Sequence, residues 1–249
     1  MVPMTALITG GMSDIGRATA VTLARAGYGV AVGFRRDAEA AERFARALAD
    51  EHGAPQALAI RADIRRRGEV AAMVEQAWIG LGEVRVLVNG AGINRDRPFV
   101  EMTDAEWEEV RATVLDGAFY CCQEFARRFQ GEEGRILNIG AVTAIRGRKN
   151  GVNYCSARAG VVALTKCLAQ ELAPRISVVT VTPGMIDTAE VGARYNLGAA
   201  ENRARWEASI PLGRLGSPWD VAGMIEFLAR PGCYVNGQNI LVDGGYFPH

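Results

Sequence analysis

The chain has 249 residues, of which 49% are hydrophobic and 22% charged, a size and composition that bury one full core in a soluble globular domain. Basic and acidic residues balance at 28 each, so neither a nucleic-acid footprint nor a membrane-surface one is expected. Five cysteines without CxxC spacing (Cys121, Cys122, Cys155, Cys167, Cys233) and two histidines, His52 and His249, argue against a metal site and for free thiols in a reducing cytoplasm.

The first apolar run, TALIT (5–9), reads as a strand, with nothing like a basic secretory leader ahead of it. IGRATAVTLARAG (15–27) has helical period, GVAVGF (29–34) reads as a strand and AEAAERFARALADE (38–51) as a helix. Strands ALAIRAD (57–63) and VRVLVNG (84–90) flank a helix over 68–80. A single long helix is expected over about 104–129, then a strand over 134–142 and a helix over 153–173. ISVVTVTPG (176–184), a helix over 220–230 and QNILVDGG (238–245) complete the pattern. Short Val/Ile/Leu strands alternating with amphipathic helices predict a mostly parallel sheet covered on both faces. The polar, helix-prone stretch 185–217 breaks the alternation and is expected to form a lid over the carboxyl ends of the strands, where such sheets bind ligands. No apolar run reaches membrane-spanning length, and a cytoplasmic protein is expected.

Two segments carry chemistry. TGGMSDIG (9–16) is a glycine-rich turn between the first strand and helix, where backbone N–H groups and the positive end of a helix dipole receive a pyrophosphate. The second strand ends with Arg35 and Arg36, which suit a 2′-phosphate better than the free ribose hydroxyls that a carboxylate would hold. Asp14 is expected to cap the first helix, an effect of about 0.5–2 kcal/mol, and to oppose a doubly charged pyrophosphate, with Arg17 one turn on to compensate. In NYCSAR (153–158), Tyr154 and Arg158 stand four apart and so share one helix face.

These segments resemble the short-chain dehydrogenase/reductase family from end to end. TGGMSDIG (Gly10, Ser13, Asp14, Ile15, Gly16) is similar to that family's TGxxxGIG, although Asp14 stands where a glycine is usual. Asp63, followed by Ile64, matches its adenine-contacting aspartate, and NGAG (Asn89, Ala91, Gly92) its NNAG. PGMIDT (Pro183, Gly184, Ile186, Thr188) resembles the segment that flanks nicotinamide, and 210–229 and 235–245 resemble the C-terminal part of 3-oxoacyl-thioester reductases. The resemblance implies a single Rossmann-like, doubly wound α/β domain over 1–249, in three α/β/α layers, with 185–217 as substrate lid. It further implies NADP(H), bound weakly because of Asp14, and a ketone or acyl-thioester substrate, carried on an acyl carrier protein in the nearest branch.

Four side chains work in that family: a tyrosine that exchanges the proton, a lysine four residues later, a serine thirteen residues earlier and an asparagine on the long fourth helix. Only Tyr154 carries over, for Arg158, Ala141 and Val114 fill the other three places. Arg158 keeps a positive charge but passes no proton, and Ala141 gives no hydrogen bond to a developing oxyanion, a loss that typically costs about 10²–10³ in rate. Thr143 is the candidate replacement donor if 139–143 stays extended, with the competing reading that it bonds local backbone. Only Lys149 and Lys166 are lysines, so arginine at 158 follows the composition of the chain, whereas Ala141 and Val114 do not. Halohydrin dehalogenases pair Tyr with Arg at this spacing, but they keep the serine and put an aromatic residue at the place of Asp14. Three readings result: an NADPH-dependent ketone reductase with a reworked proton-donor arrangement, a silent subunit assembled with an active paralogue, and a non-redox enzyme using Tyr154–Arg158 as acid and base. The resemblance implies that helices 104–129 and 153–173 pack a dimer or tetramer; Arg127, Arg128 and Arg175 read as ordinary solvated arginines, with a basic patch for an acidic carrier as the alternative.

Overall fold

A computed structural model describes residues 4–247; residues 1–3 and 248–249, His249 among them, lie outside the described residues. Seven strands form one parallel sheet and fall on the seven expected runs: β1 Thr5–Thr9, β2 Gly29–Phe34, β3 Ala57–Arg61, β4 Val86–Asn89, β5 Gly134–Ile139, β6 Ile176–Pro183 and β7 Asn239–Val242. Helices α1 (Asp14–Arg25), α2 (Ala38–Asp50) and α3 (Arg67–Leu81) connect the first four strands. Next come α4 (Asp104–Arg111) and α5 (Gly117–Arg128) before β5, then α6 (Thr143–Arg146) and α7 (Val152–Glu171) before β6. The last connection carries α8 (Ala189–Tyr195), α9 (Ala200–Ala208) and α10 (Pro218–Ala229).

Alternation along the strands builds the three layers. Ala6 and Ile8 of β1 join Val30, Val32 and Val88 in one core with Leu23 of α1 and Ile225 of α10. Leu7 points the other way, with Ala31, Leu87, Ile136 and Val178, onto Met73 of α3 and Cys121, Cys122 and Phe125 of α5. Those cysteines and Phe125 therefore belong to the protomer's own core, as does Val161 of α7. The strand order β3-β2-β1-β4-β5-β6-β7 reverses direction between β1 and β4. That switch point opens a crevice at the carboxyl ends of the strands.

One expectation about the connections is refined and one corrected. The helix over 104–129 runs unbroken from Asp104 to Arg128, but residues Ala112–Asp116 form a π-helical turn within it, in which Gly117 N bonds to Ala112 O. Thr113 Oγ1 donates to Glu109 O at 2.8 Å, a local bond that competes with the helical ladder and bends it. The fifth strand ends at Ile139 rather than 142, and the chain turns helical at Thr143.

Candidate active site

Glycine shapes the turn after β1. Gly10 has φ +66°, and a methyl there would stand 2.7 Å from the Ala91 backbone, so only glycine lets the turns after β1 and β4 lie this close. Gly16 packs on the Gly10 carbonyl, and Ser13, not Asp14, caps α1 by accepting from Gly16 N at 3.1 Å. Asp14 Oδ2 instead accepts from Ala189 N at 2.7 Å and so joins this turn to the start of α8. Arg17 does not compensate its charge, since its guanidinium lies over the Phe44 ring, 4.7 Å from the centroid.

A cavity of about 280 Å³ opens beside this turn. Gly10 and Ser13 line it together with Arg35, Arg36, Asp63, Ile64, Ala91 and Gly92. Asp63 is clasped by Arg65, whose Nε stands 2.9 Å from Oδ1, and this side-chain bond holds the carboxyl below its usual range. Asn89 does not line the cavity. It is buried, and its amide donates to Asn138 Oδ1 at 2.8 Å and to Cys122 Sγ at 3.2 Å, which ties β4 to β5 and α5.

A second cavity, about 430 Å³, shares Ser13, Gly90, Gly92 and Ile93 with the first, so the two form one groove across the switch point. Tyr154, Arg158 and Ala141 line it with Asp14, Ile15, Pro183, Gly184, Ile186 and Thr188. Tyr154 and Arg158 do share a face of α7, with the guanidinium carbon 5.3 Å from the ring centroid. Arg158 is buried; its Nη1 donates to Ile139 O at 2.5 Å, and a methyl on Gly92 would collide with its guanidinium. Its Nε is buried and has no hydrogen-bond partner among the described residues.

The other replaced positions differ in kind. Ala141 faces the cavity and brings no polar side chain to it. Val114 sits in the π-helical turn, buried against Val110, Ala118 and Val161, while its neighbour Thr113 lines the first cavity. Thr143 begins α6, so the extended geometry that would have aimed it beside position 141 is absent, and Thr143 is not among the residues lining the cavity. It does not bond local backbone either: its Oγ1 is buried without a partner among the described residues.

A cluster above the cavity joins Arg194, Tyr195, Arg203 and Trp206, which the polar stretch 185–217 offers as ligand-facing candidates, to Asn94, Asp96 and Arg148, which sequence patterns do not mark. Arg148 Nη2 donates to Asn94 Oδ1 at 3.0 Å and to Asp96 Oδ1 at 2.6 Å. Burial works against its charge, but bonding to Tyr195 and attraction to Asp96 outweigh that and raise its pKa. Arg194 of α8 pairs with Asp96 and Glu190, and Tyr195 packs edge-on against Trp206, which in turn meets Tyr246. Arg203 pairs with Asp187 at 2.8 Å. No short motif marks these residues; the Asn94–Arg148 pair spans 54 positions.

Comparison with known proteins finds similarity over nearly the whole chain. A family model described as enoyl-(acyl carrier protein) reductase matches residues 10–247. The 3-oxoacyl-(acyl-carrier-protein) reductase FabG of Staphylococcus aureus is 37% identical over 247 residues, 97% of each chain. The corresponding reductase of a Synechocystis species is 36% identical over 244 residues, 96% of this chain and 95% of its own. Among solved structures, one described as a short-chain alcohol dehydrogenase of Sinorhizobium meliloti superposes with a TM-score of 0.90 at 33% identity, covering 99% of this chain and 97% of that one.

Proposed function

The chain belongs to the short-chain dehydrogenase/reductase family of oxidoreductases, and on that premise we propose that it is an NADP(H)-dependent reductase of 3-oxoacyl thioesters or related ketones. The observation that carries this reading is the single groove with Arg35 and Arg36 at one end and Tyr154 beside Arg158 at the other. Its walls fit a dinucleotide: glycine permits close backbone approach, the N-terminus of α1 faces the groove, and Arg158, whose Nε lacks a partner among the described residues, would offer a donor to a ribose hydroxyl. Arg35 and Arg36 would hold the 2′-phosphate, and Asp63 and Ile64 would border the adenine. Asp14 also borders the groove, and its charge weakens the binding of the pyrophosphate.

When bound, NADPH supplies a hydride to the carbonyl carbon. Tyr154 gives its proton to the carbonyl oxygen, and the adjacent guanidinium of Arg158 stabilises the negative charge left behind. An arginine does not release a proton in the working range, so water entering the groove, not the residue four positions on, resupplies Tyr154. By analogy with the relatives' names, the thioester rides on an acyl carrier protein, and the family resemblance implies a dimer or tetramer. Arg127 and Arg128 pair with Glu124 and Glu75 on the surface, and such pairs, worth about 0–1 kcal/mol, exchange readily for a carrier's carboxylates.

Titration of NADPH fluorescence, followed by NADPH oxidation with acetoacetyl and crotonyl thioesters, tests the reading. Saturable binding and oxidation with the acetoacetyl thioester are expected; no binding up to ~1 mM, about 4 kcal/mol of affinity, overturns it. Oxidation with the crotonyl thioester alone would move the reduced bond from C=O to C=C, the reaction in the family description. Ala141 and Val114, which bring no donor, favour a second reading in which Tyr154–Arg158 serves non-redox chemistry or a silent subunit of a hetero-oligomer. Bound NADPH that no carbonyl substrate oxidises, with a second family member co-purifying, would select it.

A further inference from the structure

Ala141 leaves its part of the wall without a hydroxyl, yet the same wall holds another donor. Asn94 lines the cavity with Tyr154 and Ala141, and its Oδ1 accepts from Arg148 Nη2 at 3.0 Å. A guanidinium has donors only, so Arg148 dictates which end of the amide faces it. The donor end, Nδ2, is left to Glu190 Oε1, 3.4 Å away. That contact lies at the outer limit of hydrogen-bond length, and a closer acceptor displaces it. Glu190 is not stranded by the exchange, because Arg194 Nε holds the same oxygen at 3.0 Å.

Arg148 is seated to set this geometry. Its side chain is 13% exposed, Asp96 holds the far end, and its guanidinium carbon lies 5.6 Å from the Tyr154 ring centroid. A methyl on Gly151 would come within 2.8 Å of Nε, so the guanidinium rests in a notch that glycine leaves open. One partly buried cation thus touches both the ring of the proton donor and the amide beside it. Resting on the reductase reading above, we propose that Asn94 Nδ2 donates to the substrate's carbonyl oxygen the hydrogen bond that Ala141 lacks, with Arg148 as its positioning residue.

The test uses the full-length protein with NADP⁺ and an acetoacetyl thioester labelled with ¹³C at the 3-oxo carbon. In the wild type the infrared band of that carbonyl moves to lower frequency on binding; in Asn94→Ala it returns toward the free value. In turnover, Asn94→Ala lowers kcat by about 10²–10³ with NADPH binding unchanged. Adding Ala141→Ser restores most of that loss, whereas Ala141→Ser alone changes the wild type less than about tenfold. Arg148→Met shares the kcat loss of Asn94→Ala, and Arg148→Lys recovers part of it. A band that does not respond to Asn94→Ala, or Ala141→Ser raising wild type and variant equally, overturns the proposal. A band that responds in a protein that never oxidises NADPH leaves the donor assignment standing and removes the reductase reading instead.

Discussion

The two halves of the groove are made of different material. The half beside Arg35 and Asp63 is largely backbone: close-packed glycine turns, a capped helix start and strand ends fix its shape. The half beside Tyr154 is made of side chains, and there Ala141, Val114 and Arg158 stand where the family's working groups are expected. A backbone site tolerates substitution because the groups that bind belong to every residue. In a side-chain site each exchange alters a donor or a charge, and a neighbour must take over the role. Asp14 shows the first kind of tolerance, since its carboxylate turns to Ala189 N while the turn around it keeps its shape.

The largest effect expected from this contrast belongs to Tyr154. Tyr154→Phe should lower kcat for ketone reduction by about 10²–10⁴, the usual weight of a general acid, while the NADPH titration stays as in the wild type. Equal turnover in the variant would place the proton donor elsewhere in the cavity. At the other end, Arg35→Ala combined with Arg36→Ala should weaken NADPH by about 10–150-fold, from the loss of a charge-assisted bond worth about 1.5–3 kcal/mol. NADH affinity should change little, and parallel loss of both coenzymes would mean that the guanidinium groups serve the turn rather than the phosphate.

A pH effect sharpens the comparison from outside the groove. Glu106 completes the cap of α4, with its Oε1 2.7 Å from Arg97 Nη2 and its Oε2 3.0 Å from Thr103 N. The bond from Arg97 and then that from Thr103 lower its pKa to about 2, from an ordinary value of 4.5. A carboxyl depressed on folding stabilises the fold above its unfolded pKa, and that contribution is lost as pH falls through the folded one. Carbon NMR of Glu106 should therefore titrate near 2, and Arg97→Ala should bring it back toward 4.5. The start of α4 should loosen between those values, and a midpoint near 4.5 in the wild type would contradict the pairing.

The same division governs what the sequence makes legible. Runs such as GVAVGF and ISVVTVTP announce strands because burial on both faces demands continuous apolar residues, and the glycine turn is legible because only glycine fits there. Motif membership does not reveal direction, which is why Asn89 reads as a groove residue although its amide faces Asn138. The π-helical turn at 112–116 inserts its irregularity into an unbroken periodic pattern, and α6 is too short to show a period at all. Asn94 and Arg148 lie in separate loops after β4 and β5, and only the sheet brings them together.

The smallest expected effect returns to Asp14 and separates its two parts. Asp14→Gly removes a carboxylate from the pyrophosphate end of the groove and also breaks the bond to Ala189 N. Loss of a single charge near a helix start is worth about 0.3–1 kcal/mol, so NADPH should bind about two- to fivefold more tightly. The bond to Ala189 resembles a helix cap worth about 1 kcal/mol, and its loss should lower Tm by about 2–4 °C, with faster amide exchange at the start of α8. Tighter binding with a lower Tm is the outcome expected of a side chain that anchors the start of α8 at the coenzyme's expense. If Tm falls while affinity is unchanged, the carboxylate is screened from the pyrophosphate, and the backbone half of the groove absorbs even a misplaced charge without loss.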